Sequence, residues 1–151
     1  MQEFGAKFYY KKKNKLPLSI LGSRSVSGIN YLENKGSAQC KSSVMLAALN
    51  SSGVTSIKAK KSRNHTELLF KHLKIDIKIK KTKKYDFIDI KQPKKIPAFN
   101  YQIPGDISSS AFFIALTTLA DNSKLLIKDV NINPSRIGVI TILKKMGAKI
   151  L

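Results

Sequence analysis

The chain has 151 residues, 42% of them apolar, and no apolar run near the roughly 18–20 residues that cross a bilayer, which excludes disorder and a helical membrane protein. Its net charge of +19 would ordinarily imply nucleic acid or an anionic membrane. Only Arg24, Arg63 and Arg136 are arginines among the 28 basic residues, however, and the lysines are spread along the chain. That pattern reads as a proteome-wide bias toward Lys, Ile and Asn, so no nucleic-acid or membrane partner is expected.

In chain order, Met1-Gln2-Glu3 reads as the last turn of a helix, closed by Gly5 at a helix-to-strand junction. Leu16–Ile20 and Gly28–Tyr31 follow as strands separated by turns. Ser37 is an N-cap candidate with Gln39 in the first turn, and the spacing predicts a helix over Lys41–Leu49. The turn Asn50-Ser51-Ser52-Gly53 leads to a strand at Val54–Ala59. Asn64 caps a helix over Glu67–Leu73, with Glu67 placed to complete a capping box. Strand Ile75–Ile79, the basic turn Lys80–Lys84 and the alternating strand Tyr85–Ile90 come next, then a loop at Lys91–Pro97. Beyond the turn at Pro104-Gly105, Asp106 and Ser108 are capping residues for a helix over Ser109–Leu119. A strand at Lys124–Lys128, a helix over Gly138–Met146 and a strand at Ala148–Leu151 complete the order.

The halves follow one plan. Ser62-Arg63 recurs as Ser135-Arg136, 73 residues later, and the same offset pairs Leu69 with Ile142, Leu73 with Met146 and Ile77 with Ile150. Ser42-Ser43 matches Ser109-Ser110, and Phe4-Gly5-Ala6-Lys7 copies Met146-Gly147-Ala148-Lys149. Duplicated α/β modules are the expectation. An opening within a helix and an ending within a strand give the expectation of a piece of something longer.

Two segments carry the chemistry. Gly36-Ser37-Ala38-Gln39-Cys40-Lys41-Ser42 opens one apolar helix, and Ser62-Arg63-Asn64-His65-Thr66-Glu67 opens another. Helix-start amides, hydroxyls and a nearby guanidinium are what an anionic ligand requires. Lys41 has two readings, an assisting cation or a solvated surface charge. Cys40 is alone, which excludes an internal disulfide and points to a reducing cytoplasm. Met1–Gly5 lacks the basic-then-apolar pattern of a signal peptide. His65 and His72 are seven residues apart with no cysteine partner, so no metal site is expected.

These segments resemble the 5-enolpyruvylshikimate-3-phosphate synthase family. It carries Ser-Ala-Gln followed by Lys-Ser, Arg-Asp-His-Thr-Glu (here Asn64 replaces Asp), and Pro-Gly-Asp-x-Ser-Ser, matched by Pro104–Ser109. The resemblance covers nearly the whole chain. It implies an α/β fold of repeated β-α-β-α-β-β units, present as a partial two-domain fragment. Residues 1–101 would be the later part of the shikimate-3-phosphate-binding domain and 102–151 the start of the second, with the crossover near 101–106. Ser37, Ala38, Gln39 and Arg63 would hold shikimate 3-phosphate, with Gln39 also reaching phosphoenolpyruvate. Arg136 would be structural or interdomain.

The implied reaction, in the chorismate route to aromatic amino acids, transfers an enolpyruvyl group to the 5-hydroxyl of shikimate 3-phosphate. The resemblance implies no cofactor, a monomeric full-length enzyme and a cytoplasmic location. The family's Lys-Ser-x-x-x-Arg loop and its later acidic and basic catalytic residues are not among these 151. No catalytic residue is therefore assigned, and the 151-residue piece is expected to be inactive. Other classes are a UDP-N-acetylglucosamine enolpyruvyl transferase, which is not expected to carry these two motifs together, a basic nucleic-acid module and a noncatalytic scaffold.

Overall fold

Val54–Lys60 alternates buried and open side chains, with Thr55, Ile57 and Ala59 turned inward. Such alternation makes a strand with one face on a core. The computed structural model, which describes residues 1–13 and 15–151, places it centrally in a four-stranded sheet. The chain divides into two compact units, Met1–Pro97 and Ala98–Leu151.

The first unit begins with a single turn, Gln2–Phe4, that Gly5 closes with φ +89°. The strand implied by the helix-to-strand junction at Gly5 is β1 (Lys7–Lys12), which pairs antiparallel with β2 (Lys15–Leu21). The order then runs β3 (Asn30–Glu33), α1 (Ala38–Ala48), β4 (Val54–Lys60), α2 (His65–His72), β5 (Ile77–Lys81) and β6 (Tyr85–Lys91). This is one complete β-α-β-α-β-β unit. Its sheet order is β3-β4-β6-β5, with β3 parallel to β4 and the other two pairings antiparallel. A parallel pair needs a crossover, and α1 supplies it.

The register puts Ile57 opposite Ile88 and Thr55 opposite Ile90. Val44, Met45 and Ala48 of α1 and Phe70 of α2 join Ile57, Ala59, Ile88 and Ile90 in the core. The β5–β6 turn is held by Thr82, whose hydroxyl donates to the Tyr85 carbonyl at 2.7 Å and accepts from the Tyr85 amide at 3.0 Å.

In the second unit, α3 (Ile107–Leu119) and α4 (Gly138–Lys145) pack together. Both ends of α4 lie 73 residues beyond those of α2, and Gly147 closes it with φ +98°, as Gly5 closes the first turn. Gly105 and Val130 form a parallel bridge flanking α3, as β3 and β4 flank α1. The expected strands at Lys124–Lys128 and Ala148–Leu151 do not form. A β-prone run becomes a strand only where a neighbour takes its amides and carbonyls, and neither run has one among the described residues.

Met45 is fully buried, whereas Leu46 beside it is 53% exposed. Met45→Ala should destabilise the first unit by about 2–5 kcal/mol in urea titrations, whereas Leu46→Ala should cost no more than about 0.5 kcal/mol.

Candidate functional site

Ser37 has extended backbone, φ −87° and ψ 112°, and its Oγ accepts from the Cys40 amide at 3.2 Å, so it is the N-cap of α1. The amides of Ala38 and Gln39 belong to the first turn, where no intrahelical carbonyl can take them. Ser37 and Ala38 are half-buried and Gln39 is exposed. Behind this start, Glu33 at the end of β3 accepts from the Lys35 amide at 2.9 Å and the Gly36 amide at 2.8 Å. That grip shapes the loop, in which Gly36 has φ +74°, a conformation that disfavours a side chain.

The second start lies beside the first. Lys41, one turn into α1, has no exposed surface. Its Nζ stands 2.6 Å from Glu67 Oε1 and donates to the Arg63 carbonyl at 2.8 Å. The Ser42 and Thr66 hydroxyls meet at 2.7 Å between the same two helices. The structure thus brings Ser37–Gln39 and Arg63 to neighbouring helix starts. Of the two readings of Lys41, a solvated charge is excluded.

The capping box is corrected as well. Asn64 is the N-cap residue of α2, but its side chain makes no capping bond, and Glu67 is drawn to Lys41 instead of its own helix start. An ammonium in a dry interior outcompetes a backbone amide for a carboxylate. His65 and His72 occupy the two ends of α2, about 10 Å apart along its axis.

Arg63 is half-buried and enters no ion pair with the described residues. Next to it the Ser62 Oγ is buried with no hydrogen-bond partner. Ser62-Arg63 recurs in the sequence as Ser135-Arg136, but the sequence alone assigns Ser62 no site role of its own.

The corresponding place in the second unit is filled from within. Arg136 Nη2 lies 3.2 Å from Asp106 Oδ1 and bonds the Ser108 hydroxyl. Asp106 is the N-cap of α3 and accepts from the Ser108 amide at 3.1 Å. That amide, followed by Arg136, holds its carboxyl below the usual carboxylate range. Arg136 therefore ties α3 to the segment before α4.

On the sheet face away from the helices, a shallow hollow of about 260 Å³ is lined by Asn30, Leu32, Ser56, Lys58, Phe87 and Asp89 among others. The Lys58 ammonium sits 4.9 Å from the Tyr85 ring centre, and Ser56 donates to Asp89 at 2.7 Å. None of Ser37, Gln39 or Arg63 lines this hollow.

Two measurements follow from these contacts. Lys41→Met leaves Glu67 charged and unpaired in the interior, which should cost about 3–5 kcal/mol in denaturant unfolding, whereas Lys41→Met with Glu67→Met should recover most of that loss. The lowered pKa of Asp106 contributes stability above the ordinary carboxylate range, lost as pH falls through its folded value. The Ser108 amide resonance should accordingly shift on acidification, and Asp106→Asn should abolish that shift.

Comparison with known proteins gives one family. The family model described as EPSP synthase (3-phosphoshikimate 1-carboxyvinyltransferase) matches residues 1–151. The chain is 38% identical over 151 residues to the 3-phosphoshikimate 1-carboxyvinyltransferase of Thermotoga sp. (strain RQ2), covering 99% of this chain and 34% of that protein. It is 39% identical over 135 residues to the Bacillus subtilis (strain 168) protein of the same name, covering 89% of this chain and 30% of the relative. An EPSP synthase structure from Acinetobacter baumannii superposes with a TM-score of 0.80 at 35% identity, over 98% of this chain and 33% of that one. The chain spans about a third of the length of these relatives.

Proposed function

The chain belongs to the EPSP synthase family, and from that premise we propose that Ser37, Ala38, Gln39 and Arg63 hold shikimate 3-phosphate in a carboxyvinyl transferase. The enolpyruvyl group of phosphoenolpyruvate would pass to the 5-hydroxyl of this ester, with release of phosphate. The first-turn amides of α1 and the Ser37 hydroxyl proton are donors for a phosphate dianion, strengthened by the positive end of the helix. Arg63 adds a planar, permanently charged donor that suits phosphate oxygens. Ser62, with its buried and unpartnered hydroxyl, joins this set. The exposed Gln39 amide has the freedom to reach both substrates.

One observation carries the reading. In the second unit the arginine ahead of the second helix is neutralised by the carboxylate capping the first. In the first unit the corresponding arginine is Arg63, the first helix is capped by serine, and no acid among the described residues pairs with the arginine. An anion supplied from outside would complete in one unit what Asp106 completes in the other.

We assign residues 1–101 to the domain that binds the ester and 102–151 to the start of a second domain, with the crossover at 101–106. The compact units part at Pro97/Ala98 and α3 starts at Ile107, which brackets that crossover. In α3, Phe112, Phe113, Leu116 and Leu119 are all more than half exposed, a composition suited to the interior of a larger domain. No cofactor enters the scheme. The proposed setting is a cytoplasmic, monomeric enzyme of aromatic amino acid biosynthesis without a nucleic-acid partner.

Titration of the 151-residue chain with shikimate 3-phosphate, followed by calorimetry, tests the site. Arg63→Met should weaken binding by about 10- to 100-fold, the worth of a hydrogen bond to a charged group, and Arg136→Met should leave it unchanged. Equal binding by wild type and Arg63→Met would sink the assignment. With phosphoenolpyruvate added, the 151 residues alone should form no product.

A further inference from the structure

Lys41 lies between the two helix starts with its charge already spent. It is wholly buried, Glu67 neutralises it at 2.6 Å, and a second of its donors holds the Arg63 carbonyl at 2.8 Å. An ammonium so occupied does not serve an incoming dianion directly. What it does control is a peptide plane. The Arg63 carbonyl belongs to the peptide joining Arg63 to Asn64, and fixing that oxygen fixes the direction in which the Arg63 side chain leaves the backbone. Because Lys41 is built into α1 four residues after the Ser37 cap, it ties the arginine of one helix start to the amides of the other.

We infer that Lys41, held by Glu67, is a positioning residue that sets Arg63 against the Ser37–Gln39 helix start, and that it does not touch the phosphate ester. The inference rests on the phosphate-holding role proposed for Arg63. It gives Glu67 a purpose as well. With Oε1 on Lys41 and Oε2 buried without a hydrogen-bond partner, the carboxylate does nothing for its own helix end and serves to hold the ammonium. A direct ligand and a positioning residue differ in their dependence on Arg63. A direct contact contributes whether or not Arg63 is present, whereas a positioning contact has nothing to position once Arg63 is gone.

The experiment is a cycle of substitutions in the 151-residue chain, with shikimate 3-phosphate as the probe, Kd read by calorimetry and folding followed by thermal melting. Lys41→Met with Glu67→Met exchanges the pair for apolar side chains of similar length, which a folded interior accommodates. With Arg63 present this pair of changes should raise Kd about tenfold or more, as misplacement of a binding group does. With Arg63→Met it should raise Kd no further, while the melting temperature changes equally in both backgrounds. Glu67→Gln, which keeps the acceptor but releases the charge of Lys41, is the second variant, informative even if the first does not fold. It should weaken binding only when Arg63 is present. An equal loss of affinity in both backgrounds, no loss in either, or tighter binding by Glu67→Gln would overturn the inference and leave the Arg63 assignment standing. An Arg63→Met chain that binds as wild type would overturn both.

Discussion

A single buried ammonium joins the starts of α1 and α2, where the proposed anion site lies. Lys41 reaches from α1 to the start of α2, binding a carboxylate on that helix and a carbonyl just before it. Removing two charges from water costs several kcal/mol per ion before their attraction is counted. The pair is therefore poorly explained as a source of stability, since an apolar pair of similar volume would do as well. Its geometry explains it better. It couples residues 22 positions apart in sequence through a contact short enough to fix direction as well as distance.

That coupling matters because helix starts are weak anion sites taken singly. A macrodipole and two free amides contribute about 0.3–1 kcal/mol at an exposed site. Placing a second helix start beside the first, with a guanidinium on the adjoining residue, concentrates donors without enclosing the site in acidic groups. The sheet makes this arrangement available. With β3 parallel to β4, α1 starts just beyond one strand and α2 just beyond its neighbour, so both starts lie at one end of the sheet. Glu33 at the end of β3 shapes the approach to α1, and Lys61 just past β4 pairs with the buried Asp86 at 2.7 Å.

The internal duplication is informative because its copies differ where function would make them differ. The helices α2 and α4 repeat without a residue's slip, and Ser-Arg precedes both. Serine caps the first helix of one unit and aspartate that of the other. With aspartate, the arginine closes an internal ion pair and stiffens the frame. With serine, the arginine has no acid partner among the described residues. A different cap on the first helix thus accompanies a structural corner in one unit and a candidate binding corner in the other.

The chain's local chemistry could be read directly. Ser37 and Asp106 cap helices because short polar side chains reach amides two or three residues away, and the apolar runs and turn residues that mark the helices depend only on neighbours close in sequence. The 73-residue repeat was visible for the same reason, and with it an α/β chain and the Ser37–Gln39 and Arg63 segments. Partners that lie far off in sequence were another matter. Nothing in the pattern showed that Glu67 would leave its own helix start for Lys41, that Lys41 would be buried, or that Lys124–Lys128 and Ala148–Leu151 would find no strand to pair with. A cap is decided within one turn of chain, whereas an ion pair or a β ladder is decided by which distant groups the fold brings within hydrogen-bond reach.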